Sequence, residues 1–140
     1  MGHPKWEAYL IHAEQFITDS MNDQISEPSR AFLAVMAGEL ALKSLYYKNR
    51  PHGDIKVHIS RNLLLNKVCH PLGITPTTEV LNAVDELRNH YNAPRYPEET
   101  TVIFSCEVAQ QASVYHYGPI IEDLIKYAQV IIDWVKTQLD

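Results

Sequence analysis

Cysteine is scarce in this sequence: Cys69 and Cys106 are the only two among 140 residues, and neither belongs to a C-x-x-C pair. That excludes a disulfide framework and the common zinc and redox motifs, and it leads us to expect buried free thiols in a reducing compartment. Glycine is sparse too. The five, Gly2, Gly38, Gly53, Gly73 and Gly118, are scattered, so neither a Walker phosphate loop nor a dinucleotide fingerprint can be written. G-x-S-x-G and H-E-x-x-H are absent, which removes motif-level support for a serine hydrolase or a zinc protease. No spacing of candidate ligands demonstrates a metal site, and no cofactor is expected. No apolar run approaches the ~20 residues of a membrane span. The opening Met-Gly-His-Pro-Lys-Trp lacks an apolar signal core, and Trp6 stands where a myristoylation pattern needs Ser or Thr. The expectation is a cytoplasmic protein. Positive charge is also short, with 12 basic residues against 17 acidic ones and a net charge of −5. A broad phosphate-neutralising DNA binder is thereby excluded, since the seven histidines add charge only below neutral pH.

What is present is an ordinary globular composition, 46% hydrophobic and 21% charged, at the length of one domain. We read residues 1–140 as that single domain. Trp6, Tyr9, Leu10, Ala13, Phe16, Ile17 and Met21 follow helical spacing and predict a first helix from about Pro4 to Asp23. A second helix starts at Ser26-Glu27-Pro28-Ser29, with a capping hydroxyl and an early proline, and continues to about Tyr46. It is apolar on nearly every side, so neighbours surround it. Gly38 in its middle costs about 1 kcal/mol of helix propensity, which points to close approach by another helix. Asn49 to Asp54 is a loop rich in breakers. A shorter helix is expected over Val57–Val68, then a loop at His70–Pro76, then a helix capped by Thr77 or Thr78 that stops before Pro94. Residues 100–117 form an insertion of mixed signals, β-prone at Thr101–Phe104 and helical at Glu107–Ser113. The last helix runs from Pro119 to about Leu139. The sum is an all-α, up-and-down bundle of about five helices.

Candidate chemistry concentrates between Asp85 and Pro97. Arg88, Tyr91 and Arg95 recur at intervals of three and four, on one side if the helix persists that far. Two guanidiniums beside Tyr91 and Tyr96 suit a phosphate with a stacked base. The plainer account pairs Arg88 with an acidic residue one turn away, such as Asp85. Glu39 and Lys43 stand four apart on the buried second helix, either as charges facing a cleft or as a support pair with Lys43 snorkelling at the helix edge. His58 reads as a cap or an interhelix hydrogen-bond partner at the start of the third helix. His90, beside Arg88, is the better-placed candidate for proton transfer.

Several segments in this order resemble the HEPN domain family. Trp6 opens the first helix and Ala13-Glu14 follows. Ala37-Gly38-Glu39-Leu40-Ala41-Leu42-Lys43-Ser44-Leu45 is similar to the family's Ala/Glu/Lys-bearing core helix. His58 precedes Leu63 to Leu65, and Leu87 to Pro97 closes on Tyr91 and Arg95-Tyr96-Pro97, like the family's Tyr…Arg-Tyr-Pro stop. Ile131 to Lys136 resembles the end of such a domain. The resemblance implies a dimeric helical bundle with a cleft between central helices. It also implies one of two functional groups: ribonucleases, often toxins paired with a small nucleotidyltransferase-fold antitoxin, or noncatalytic members proposed to bind nucleotides or other polyanions.

The ribonuclease group is marked by an Arg separated from a His by four to six residues. No arginine here meets that spacing; after Arg88 the positions are Ala93, Pro94 and Arg95, while His90 comes too early. The reading is therefore a noncatalytic, homodimeric module that holds a nucleotide or RNA phosphate through Glu39, Lys43, Arg88, Tyr91, Arg95 and Tyr96. Its expected partner is a nucleotidyltransferase-fold protein in a toxin–antitoxin-like pair. The alternatives are a metal-independent ribonuclease using Arg88, His90 and His58, and a purely structural dimeric adaptor.

Overall fold

The computed structural model describes residues 2–90 and 118–140, and among these it contains five helices and no strand. Helix α1 spans Lys5–Ser20 and α2 spans Glu27–Asn49. Helix α3 is a continuous run of three pieces, an α-turn Arg61–Leu63, a π-helical stretch Leu64–Cys69 and a last α-turn His70–Leu72. Helix α4 spans Thr78–Asn89, and α5 spans Gly118–Leu139. The expected insertion at 100–117 lies outside the described residues. No described helix is long and apolar enough to cross a membrane.

Helix α2 is the centre of the bundle because its sequence allows close neighbours on several sides. Ala34, Ala37, Gly38, Ala41 and Ser44 repeat at helical spacing and are all buried. Helix α1 packs along one flank and α5 along another, while α4 packs on α5. The core carries Leu45 and Tyr47 of α2 with Leu124, Ile131, Ile132 and Val135 of α5. Gly38 is the closest approach. A methyl group there would lie 2.5 Å from Leu87 Cδ1 of α4 and 3.4 Å from Ile131 Cδ1 of α5. The helix penalty of this glycine is what lets three helices meet.

The α1–α2 hairpin is tied at both ends. Arg30 Nε donates to the Ser20 carbonyl at 2.8 Å, where a cation suits the carbonyl end of α1. At the other end, the buried Ser44 hydroxyl donates to the Trp6 carbonyl at 2.7 Å. Lys48 sits 4.2 Å above the Trp6 ring, and Lys5 sits 4.1 Å above Tyr47. Tyr47 also accepts the Ile55 N–H at 3.2 Å, which fastens the segment leaving α2.

The third helix departs from expectation. It begins later than Val57, because Ser60 is the residue whose hydroxyl accepts the Leu63 N–H at 3.3 Å. It also runs through Pro71, where a loop was expected. Proline removes one backbone donor and crowds the carbonyl four residues earlier, and the wider π-helical turns directly before it absorb both effects. The stop is Gly73, left-handed at φ 68°, with Gly73 N–H bonded to His70 O and Ile74 N–H bonded to Cys69 O, both at 3.1 Å. That is a Schellman ending, and glycine supplies the backbone it needs.

Candidate functional site

Among the described residues Glu39 is the one buried carboxylate, 8% exposed on α2. Its Oε1 accepts the Ile59 N–H at 3.0 Å. Lys43 Nζ, one turn along the same helix, stands 3.7 Å from Oε1, and His58 Nδ1 stands 3.5 Å from it. The i,i+4 spacing of Glu39 and Lys43 thus yields a real pair, largely covered on both sides. Burial pushes the Glu39 carboxyl above its ordinary range, against the opposite pull of the Ile59 N–H, Lys43 and Arg88.

Glu39, His58, Ile59 and Arg88 line a pocket between α2 and α4, and Lys43 stands beside it against Glu39. Gly38, Glu39 and Leu42 of α2 form its floor, His58 and Ile59 one wall, and Val84, Leu87 and Arg88 of α4 the other; Ile131 of α5 closes the back. The space inside is about 20 Å³ for the centres of water-sized spheres, room for about one water and none for a base. Arg88 is exposed at the rim, and His58 is 38% exposed beside it.

The larger cavity, about 380 Å³ between α4 and α5, has the wrong sign for a phosphate. Glu79, Asp85 and Glu86 line it against Lys126 alone. Among the described residues, no group of three or more His, Cys, Asp or Glu side chains is placed to hold a metal ion.

The structure thus brings together Glu39, Lys43, His58 and Arg88. His58 is neither a cap nor part of a helix; it lies in the segment before Ser60 and faces Glu39. His90 caps the C-terminal end of α4, its N–H bonded to Leu87 O, and it does not line the pocket. Arg88 does not pair with Asp85, whose carboxylate is held by Arg61 Nη2 of α3 at 2.6 Å. Helix α4 ends at Asn89, and of the residues expected to share one face, Arg88, Tyr91 and Arg95, only Arg88 is among the described residues. Tyr91, Arg95 and Tyr96 lie outside them. The Ile59 amide was missed by sequence reasoning, since a backbone donor leaves no residue-type signal. So was the Arg61–Asp85 bridge.

A family model described as the HEPN domain matches residues 6–138 of this chain. No curated protein and no solved structure matches it.

Proposed function

The chain belongs to the HEPN domain family, and from that membership we propose that it is a noncatalytic binding module for a nucleotide or RNA phosphate. The observation that supports this most is the pairing of Arg88 and His58, from two separate segments, at a pocket too small inside for a base, with Lys43 against Glu39 beside it. Arg88 offers a planar fork of donors that fits phosphate oxygens, and Lys43 adds charge behind it. Glu39 holds the cations in place from below. The base stays outside, where Tyr91, Arg95 and Tyr96 are the proposed stacking and neutralising groups. The same reading makes the module a homodimer and the partner of a nucleotidyltransferase-fold protein in a toxin–antitoxin-like pair.

Calorimetry with ATP, GTP and a short single-stranded RNA tests the binding. Arg88→Ala should weaken it about ten- to a hundred-fold, as expected for losing a charge-assisted contact of ~1.5–3 kcal/mol. A wild-type chain that binds none of the three at millimolar concentration overturns the reading. Light scattering at micromolar concentration tests the dimer.

One observation favours a second reading. An imidazole beside a carboxylate, with an arginine in the same pocket, is an arrangement that moves protons and stabilises charge on phosphorus. A metal-independent ribonuclease would then use Arg88 and His58. RNA cleavage without magnesium that disappears in His58→Ala and survives His90→Ala would establish it; intact RNA after long incubation with folded protein would dismiss it.

A further inference from the structure

Glu39 has little access to water and a surplus of cations around it. Lys43 faces it from α2 and His58 from the segment before α3; Arg88 acts on it from α4, and among the described residues α5 contributes only Ile131 to this pocket. A phosphate at the mouth needs the same cations that Glu39 already engages, and it adds a second negative charge beside a buried one. Two anions in one poorly hydrated site do not both stay ionised without cost. The groups that can relieve that cost are already in contact. Glu39 Oε1 and His58 Nδ1 stand 3.5 Å apart, close enough for one proton to be held between them.

Resting on the phosphate-site reading above, we propose that the site takes its anion together with a proton, which the Glu39–His58 pair carries while a phosphodiester is bound. A buried carboxyl and an imidazole are the side-chain types whose titration comes closest to neutrality. Burial has already moved Glu39 in the direction the loaded site requires. Binding is therefore strongest on the acid side of neutrality and weakens as pH rises, by up to about tenfold per pH unit where one proton is exchanged. The ligand class follows as well. A singly charged diester fits one added proton better than a dianionic monoester, which would require more compensation from the same two groups.

The test is calorimetry of the full chain with a short oligouridylate lacking terminal phosphates. Its diesters keep a fixed charge, so any proton exchanged belongs to the protein. Titrations are run in two buffers of different ionisation enthalpy, from mildly acidic to mildly alkaline pH. Wild-type protein should take up as much as about one proton per ligand. The double variant Glu39→Gln with His58→Gln retains Arg88 and Lys43, so it should still bind, with its own affinity, no proton uptake and a flat pH profile. His58→Gln alone changes a partly exposed side chain, and its uptake should fall below that of the wild type. Binding by the wild type with no proton exchange overturns the proposal, and so does uptake that persists unchanged in the variants. A wild type that binds no RNA at any pH removes the phosphate site itself, which is a different failure.

Discussion

At Glu39 the cost of burying a carboxylate is shared among one backbone amide and nearby cations, and each of them sets an expectation for substitution. Glu39→Ala strips the Ile59 N–H of its acceptor and leaves Lys43 without its helical partner. An unsatisfied buried donor alone costs about 1–3 kcal/mol, which chemical denaturation would register. Glu39→Gln keeps an acceptor and should be far milder. Its sign with pH follows from the raised carboxyl. Because the folded group titrates above the unfolded one, its stabilising contribution is complete below the unfolded value and is lost as pH rises through the folded one. The melting temperature of Glu39→Gln should therefore gain on the wild type between acid and neutral pH. A variant that instead loses ground over that range would show that the ionised carboxylate is the favoured form. Cys69 is a second case at this scale. Burial pushes its thiol up to about 11, so at neutral pH it is a protonated, inert core side chain. Peptide mapping after alkylation should find Cys69 unmodified in native protein and labelled only after unfolding.

Among the elements, α2 carries the tightest constraint. Gly38→Ala gains about 1 kcal/mol of helix propensity, but its methyl would collide with Leu87 Cδ1 at 2.5 Å. Overpacking of this kind costs roughly 1–3 kcal/mol, so we expect net destabilisation by thermal melt, together with movement of Leu87 at the pocket wall. Gly73→Ala should also destabilise, by about 1 kcal/mol, because alanine must adopt the left-handed backbone that ends α3. The helices that repeat apolar residues at 3.6 spacing were readable in sequence. For α1, α2 and α5 the bounds lie within a few residues of those expected, as does the Thr77 start of α4. Helix α3 was readable only in part, since a proline inside a helix looks like a loop until the π-helical turns before it are seen. The site divides in the same way. Glu39 with Lys43 follows from an i,i+4 interval, whereas the meeting of His58 with Glu39 depends on how the chain returns after α2, which no periodicity encodes.

For the whole molecule, the net charge of −5 and the local cation cluster are compatible because they act over different distances. On the proposed reading, a few cations at one mouth would neutralise one or two phosphates, not a long backbone. Binding of single-stranded RNA should accordingly show a shallow salt dependence, with log affinity falling against log salt at a slope of about −0.7 to −1.4 for one or two neutralised phosphates. A slope several times steeper would mean that a larger basic surface carries the contact. The surface electrostatics elsewhere are modest in effect. The exposed Lys136–Glu14 pair joins α5 to α1 at 2.9 Å, but water and salt weaken such contacts.

The tie between the start of α1 and the end of α2 has an optical consequence. The protein has two tryptophans, and they occupy different surroundings: Trp134 is buried on α5, while Trp6 is partly covered beneath the Lys48 ammonium. Their emission should differ in colour, blue-shifted for the shielded indole and redder for the partly wet one. Trp134→Phe would leave a chain whose fluorescence follows the docking of α1 alone, and Trp6→Phe one that follows the core. The molecule thus carries its own pair of reporters for whether its first helix and its centre come apart together.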